Sequence, residues 1–124
     1  MTNPTKKILI IEDDELMLKI LQFILKKENY NLLIAKDGLD AIEKIPQYLP
    51  DLVITDVMLP FKSGLEIVNY LKHDFSHIPV IVLSALGEEE RTVVEAFQLG
   101  ADDFIAKPFN PIELMLRVKR LINN

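Results

Sequence analysis

Short unbroken apolar runs alternate along this chain with stretches in which apolar residues recur every three or four positions. The runs are Ile8-Leu9-Ile10-Ile11, Asn31 to Ala35, Leu52-Val53-Ile54-Thr55, Ile78-Pro79-Val80-Ile81-Val82-Leu83 and Asp103-Phe104-Ile105-Ala106. Apolar runs of this length predict strands buried on both faces, as in a parallel sheet under helices. Between them, helical spacing appears in Met17, Ile20, Leu21 and Ile24, closed by Lys26, Lys27 and Glu28, and again in Leu39, Ala41 and Ile42 after the Asp37-Gly38 turn. Pro46 lacks an amide donor and restricts Ile45, so it is expected to end or kink that second helix. Ser63-Gly64-Leu65-Glu66 has the form of a capping box opening a third helix through Leu71. Glu88-Glu89-Glu90 favour the positive amino end of a fourth helix, which Gly100 closes. Asn110-Pro111-Ile112-Glu113 is the strongest helix start in the chain, leading into Leu114, Met115 or Leu116, Val118 and Leu121.

Five strands alternating with five helices imply right-handed crossovers and an α/β fold, a single doubly wound domain over residues 1–124. A strand order of 2-1-3-4-5 sets strands one and three side by side at the switch point, where open α/β sheets bind ligands. No repeat, low-complexity segment or linker interrupts the pattern. At 124 residues and 49% apolar composition the chain is long enough for one core and too apolar for disorder. It has no cysteine, which excludes disulfides and thiolate metal sites and suits a reducing cytoplasm. The apolar run after Lys6-Lys7 is too short for a signal peptide or membrane span. A net charge of −5 argues against nonspecific nucleic-acid binding by this segment and is compatible with binding a cation or a basic protein face.

The candidate chemistry lies where the strands end. Strand one runs into Glu12 and Asp13, strand three into Asp56 before Pro60 stops it, strand four into Ser84, and strand five into Lys107. In a parallel sheet these carboxyl ends share one edge. Two carboxylates about 4 Å apart repel by roughly 4 kcal/mol at an effective dielectric near 20, so the cluster calls for a hard cation such as Mg²⁺ or Mn²⁺. A carboxylate beside such an ion can attack phosphorus and form an aspartyl phosphate. Lys107 would then pair with the phosphoryl oxygens, and Ser84 would donate a hydrogen bond to one.

Ile10-Ile11-Glu12-Asp13-Asp14, Ile54-Thr55-Asp56-Val57-Met58-Leu59-Pro60, Leu83-Ser84-Ala85 and Phe104-Ile105-Ala106-Lys107-Pro108-Phe109 occur in this order at these separations. Together they make the chain resemble, nearly end to end, the flavodoxin-like receiver domain of a two-component response regulator. The resemblance implies that Asp56 accepts a phosphoryl group from a phosphohistidine on a sensor kinase or phosphotransfer domain. It implies Mg²⁺ held by Asp13, Asp56 and the Met58 backbone carbonyl, with Glu12 acting through water, and a cis Lys107-Pro108 bond. Ser84 and Phe104 fall on the family's switch positions. On phosphorylation the hydroxyl moves toward the phosphate and the ring turns into the vacated space, reshaping the face of helix four, strand five and helix five. Phe104 stands where many members have Tyr, so contacts relying on that hydroxyl are absent. Asp102, Asp103, Glu113, Arg117 and Lys119 resemble the homodimer face of receivers in DNA-binding regulators.

Plainer readings compete at several positions. Asp13 and Asp14 could simply cap a helix, and Asp14 is kept as a cap or solvated acid. His73 and His77 have a spacing that can bind metal on a helix, but Asp74-Phe75-Ser76 and Pro79 put them at a helix end and loop. Ser84 and Phe104 could be a turn hydroxyl and a core ring. A receiver-like interaction module without phosphorylation is one alternative function. A small Mg²⁺-dependent phosphatase is another, although Met58 stands where such enzymes carry a general acid. Met58 and Leu86 place aliphatic bulk beside the site, implying slow loss of the phosphoryl group. The output of the regulator and its cognate kinase are not encoded in these residues.

Overall fold

The structure is a computed structural model describing residues 5–85 and 90–122. Its elements run in strict alternation: β1 (Lys7–Ile11), α1 (Glu15–Lys26), β2 (Asn31–Ala35), α2 (Gly38–Tyr48), β3 (Leu52–Asp56), α3 (Gly64–Asp74), β4 (Val80–Ser84), α4 (Glu90–Gln98), β5 (Asp103–Ala106) and α5 (Pro111–Ile122). The five strands form one parallel sheet in the order β2-β1-β3-β4-β5, as the alternation and the switch-point argument require.

The strands alternate their side chains between two cores. Leu9, Ile11, Val53, Val80 and Val82 pack under α2, α3 and α4 against Ala41, Ile45, Ile67, Val68, Leu71 and Ala96. Ile8, Ile10, Leu52, Ile54, Ile81, Leu83 and Ile105 face the other way, against Leu18, Leu21, Ile24 and Leu25 of α1 and Leu114, Val118 and Ile122 of α5. Both faces of β3 and β4 are buried at every residue. That double burial is why these strands carry no polar alternation.

Local chemistry ends the elements. Asp14 caps α1, its Oδ1 accepting from the Leu16 and Met17 amides at 3.0 and 3.5 Å. Ser63 caps α3 through the Glu66 amide, but the Glu66 carboxylate turns to Lys62 Nζ at 3.7 Å, so only half of the expected box is made. Asn110 Oδ1 accepts from Ile112 and Glu113 amides at the start of α5. After α4, Gly100 takes φ 107 while its amide and that of Ala101 bond back to Phe97 and Ala96, the paired closure of a Schellman motif.

Two expectations are corrected. The second helix continues through Pro46 to Tyr48 and closes on Leu49 in the left-handed region at φ 47. Pro46 lies within the last turn, so its missing donor costs one terminal bond, and Leu49 N–H still reaches Ile45 O at 2.9 Å. Strand four starts at Val80 rather than Ile78, because Pro79 has no amide to donate; its carbonyl instead accepts from Val53 N–H at 3.0 Å. Of the acidic start expected for the fourth helix, Glu88 and Glu89 lie outside the described residues, as does Leu86.

Candidate functional site

Sheet register gathers the candidate residues. Ile11 pairs with Thr55, so Glu12 and Asp56 follow one another off adjacent strands at the carboxyl edge. Asp56 pairs with Leu83, and Ser84 with Ala106, so Ser84 and Lys107 leave the sheet beside them. Lys107 N–H then bonds Ser84 O at 2.6 Å, and the Lys107-Pro108 peptide is cis.

Lys107 Nζ lies 2.8 Å from Asp56 Oδ2 and 3.4 Å from Glu12 Oε1. Carboxylate oxygens of Glu12, Asp13 and Asp56 all fall within 4.8 Å of one another. Glu12 and Asp56 are buried while Asp13 faces solvent, which leaves the cluster open on one side. Asp56 is held from both ends of its carboxylate: Met58 N–H approaches Oδ1 at 3.4 Å, opposite the Lys107 contact on Oδ2.

The charges are poorly compensated. Lys107 brings one positive charge to three carboxyl groups. Burial, reinforced by the Asp56 carboxylate, pushes Glu12 up to about 8 despite the opposing pull of Lys107. Burial alone would lower Lys107, but Asp56 and Glu12 hold its ammonium above the ordinary lysine range. Glu12 Oε2 is, among the described residues, a buried side-chain oxygen without a hydrogen-bond partner. An all-oxygen donor set with an orphaned carboxylate oxygen fits a hard dication better than it fits a closed ion-pair network.

Ser84 sits at the end of β4, but its hydroxyl donates to Ala85 O at 3.3 Å. Phe104, on β5, is half-buried and packs its ring 6.3 Å from that of Phe97 on α4, tilted by 41°. His73 lies in the last turn of α3 and His77 beyond it, away from the cluster.

The acidic and basic residues expected to form one face divide. Asp103 is buried and bonded by Arg117 at 2.8 and 2.9 Å and by Arg120 at 3.1 Å, and Arg117 also reaches Glu113. Asp102 turns to Lys72 at 2.7 Å and to the Val80 amide at 2.8 Å, and Lys119 to Glu28, just past the end of α1, at 2.9 Å. Arg120 escaped sequence reasoning, although its three-residue offset from Arg117 puts both on one face of α5. Gly38 and Gly64 also escaped it, since only their neighbours in space mark them.

A doubly wound α/β domain with an acidic cluster at its switch point and a half-buried lysine reaching into it is a class of site suited to phosphoryl groups and divalent cations. The family model for the response regulator receiver domain matches residues 8–119, and the chain belongs to that family. It is 38% identical over 117 residues to the alkaline phosphatase synthesis transcriptional regulatory protein PhoP of Bacillus subtilis (strain 168). That alignment covers 94% of this chain and 48% of PhoP, so the chain spans about half of that relative. The signal receiver domain of a signal transduction histidine kinase from Syntrophus aciditrophicus has a TM-score of 0.88 at 36% identity, covering 96% of this chain and 91% of that one. The receiver domain of NtrX from Brucella abortus has a TM-score of 0.88 at 30% identity, covering 94% and 98%. The chain is accordingly a receiver of two-component signalling, a phosphorylation-controlled switch. Receivers bind Mg²⁺ at an acidic pocket and work with sensor kinases. No helix among the described residues is long and apolar enough to cross a membrane.

Proposed function

We propose that Asp56 is the phosphoacceptor, taking its phosphoryl group from a phosphohistidine on a cytoplasmic sensor kinase or phosphotransfer domain. An Asp56 carboxylate oxygen forms a bond to phosphorus as the phosphorus–nitrogen bond breaks. The electron pair of that bond leaves with the imidazole, which takes up a proton. The observation that carries this reading is the 2.8 Å contact between Asp56 Oδ2 and Lys107 Nζ inside the carboxylate cluster. The Lys107 ammonium lies against Asp56 Oδ2 and is placed to meet the incoming phosphoryl oxygens as a point charge.

Asp13, Asp56 and the Met58 carbonyl would hold Mg²⁺, or Mn²⁺, with Glu12 acting through water. The bound ion supplies positive charge that offsets the carboxylates and the phosphoryl oxygens. Burial of Glu12 and Asp56 limits water around the reacting group, so each of these charges acts at low dielectric.

Ser84 and Phe104 form the switch. The Ser84 hydroxyl exchanges its Ala85 partner for a phosphoryl oxygen, and the Phe104 ring then leaves its contact with Phe97. This reshapes the face of α4, β5 and α5, where Arg117 and Arg120, held by the buried Asp103, are the charged side chains offered for homodimer contact. The domain acts as a regulator that assists its own phosphorylation, and this segment does not itself bind nucleic acid. Incubation with acetyl phosphate and Mg²⁺ tests the reading. Wild type takes up phosphoryl groups and Asp56→Asn does not; wild type that takes up none refutes it.

A further inference from the structure

Taking Asp56 as the phosphoacceptor, we infer that Gly64 is a positioning residue for phosphoryl transfer, because only a residue without a side chain lets α3 seat on the reacting peptide. Gly64 N–H donates to Val57 O at 2.8 Å, bringing the first turn of α3 onto the backbone that follows β3. A Cβ at Gly64 would lie 2.2 Å from the Asp56 carbonyl oxygen and 2.9 Å from both the Asp56 carbonyl carbon and Val57 Cα. All three atoms are backbone, so no rotamer change relieves the overlap. The same carbonyl oxygen accepts from the buried Thr55 hydroxyl at 3.0 Å, which fixes it from the sheet side.

The far end of the same loop is seated in the same way. Gly38, at the start of α2, donates to Pro60 O at 3.3 Å, and a Cβ there would meet Lys62 Cβ at 2.2 Å and Lys62 O at 2.6 Å. Within this second seat, between Pro60 and Lys62, Phe61 is held at φ 71. Residues 57–63 are thereby clamped between the amino ends of two helices. This loop also carries Met58, whose amide approaches Asp56 Oδ1. Any shift of the clamp moves the nucleophile relative to Lys107, and relief at Gly64 needs roughly 1 Å, a displacement that costs about a hundredfold in rate when it misplaces reacting atoms.

Phosphorylation by acetyl phosphate in saturating Mg²⁺, measured per folded molecule, is compared for wild type, Gly64→Ala and Gly100→Ala. Gly100 takes a left-handed φ of 107 before β5, at the edge opposite the cluster, so alanine there lowers stability without touching Asp56. The expected result is a lower melting temperature with an unchanged rate for Gly100→Ala. For Gly64→Ala, the expected loss is about a hundredfold in the maximal rate, which more donor does not restore. A Gly64→Ala maximal rate equal to the wild type's overturns the inference and leaves the Asp56 assignment standing. Failure of the wild type to react refutes that assignment instead. If Gly64→Ala does not fold, Gly38→Ala carries the same comparison: a reduced maximal rate supports the clamp, and a wild-type rate overturns it.

Discussion

Glu12 turns Mg²⁺ binding into a proton-linked reaction. Its carboxyl is almost wholly inaccessible at 1% exposure, shares the cluster with Asp56 and Asp13, and is pushed up to about 8 by burial and then by Asp56. At pH 7 roughly nine in ten metal-free molecules therefore carry a proton there. A dication among these carboxylates favours the ionised form, so binding expels that proton. Below about pH 8, each unit of acidification should weaken Mg²⁺ binding by up to tenfold, or about 1.4 kcal/mol, and the dependence should flatten above it. Folding follows the opposite sign in metal-free protein. A folded value raised from 4.5 to about 8 means the stabilisation is fully present below 4.5 and is lost as pH rises through about 8. Calorimetric titration at pH 7 in two buffers of different ionisation enthalpy counts the released proton directly, and about 0.9 per Mg²⁺ is expected. Glu12→Gln should release none and bind with little pH dependence in this range. Equal wild-type affinities at about pH 6 and pH 8, with no proton released, would refute the reasoning.

Three further outcomes follow from the packing and charges. Burial would raise Asp103, but hydrogen bonds from Arg117, the Phe104 amide and Arg120 hold it below the usual carboxylate value of 3.8. Its stabilisation should be present above pH 3.8 and fade as acid approaches the depressed folded value; Arg117→Met should cost about 1–2 kcal/mol at neutral pH, read from urea midpoints, and less in acid. Leu71→Ala removes a fully buried side chain from the core under α3 and should cost about 2–5 kcal/mol by the same measurement. Met58 is 70% exposed beside Asp56 and offers no polar group to orient water. Phosphoryl decay after donor removal should therefore be slow in wild type and faster in Met58→Asn, and equal lifetimes would remove Met58 from the explanation.

The elements and their order were legible because β3 and β4 are buried on both faces and β1 nearly so, which forces unbroken apolar runs such as Val80 to Leu83. Sheet order then brought Glu12, Asp13, Asp56 and Lys107 to one edge without any long-range information. Boundaries at prolines were less legible. Pro46 reads as a stop, yet within a final turn it removes only one bond, and Pro79 is excluded from β4 while its carbonyl still serves β3. Pairings of charged side chains were the least legible. Asp102 and Asp103 are adjacent, but strand geometry sends them to opposite sides, one to Lys72 and one to Arg117. The seats at Gly38 and Gly64 could not be read at all, since what excludes a side chain there is backbone brought in from another segment.

The proposed switch depends on phosphorylation of Asp56 itself. After reaction with acetyl phosphate and Mg²⁺, borohydride reduction of the acyl phosphate followed by peptide mapping marks the modified residue. One marked position is expected, Asp56, lost when Mg²⁺ is chelated. A mark on Asp13 or Glu12 instead, or no mark in wild type, would contradict that assignment.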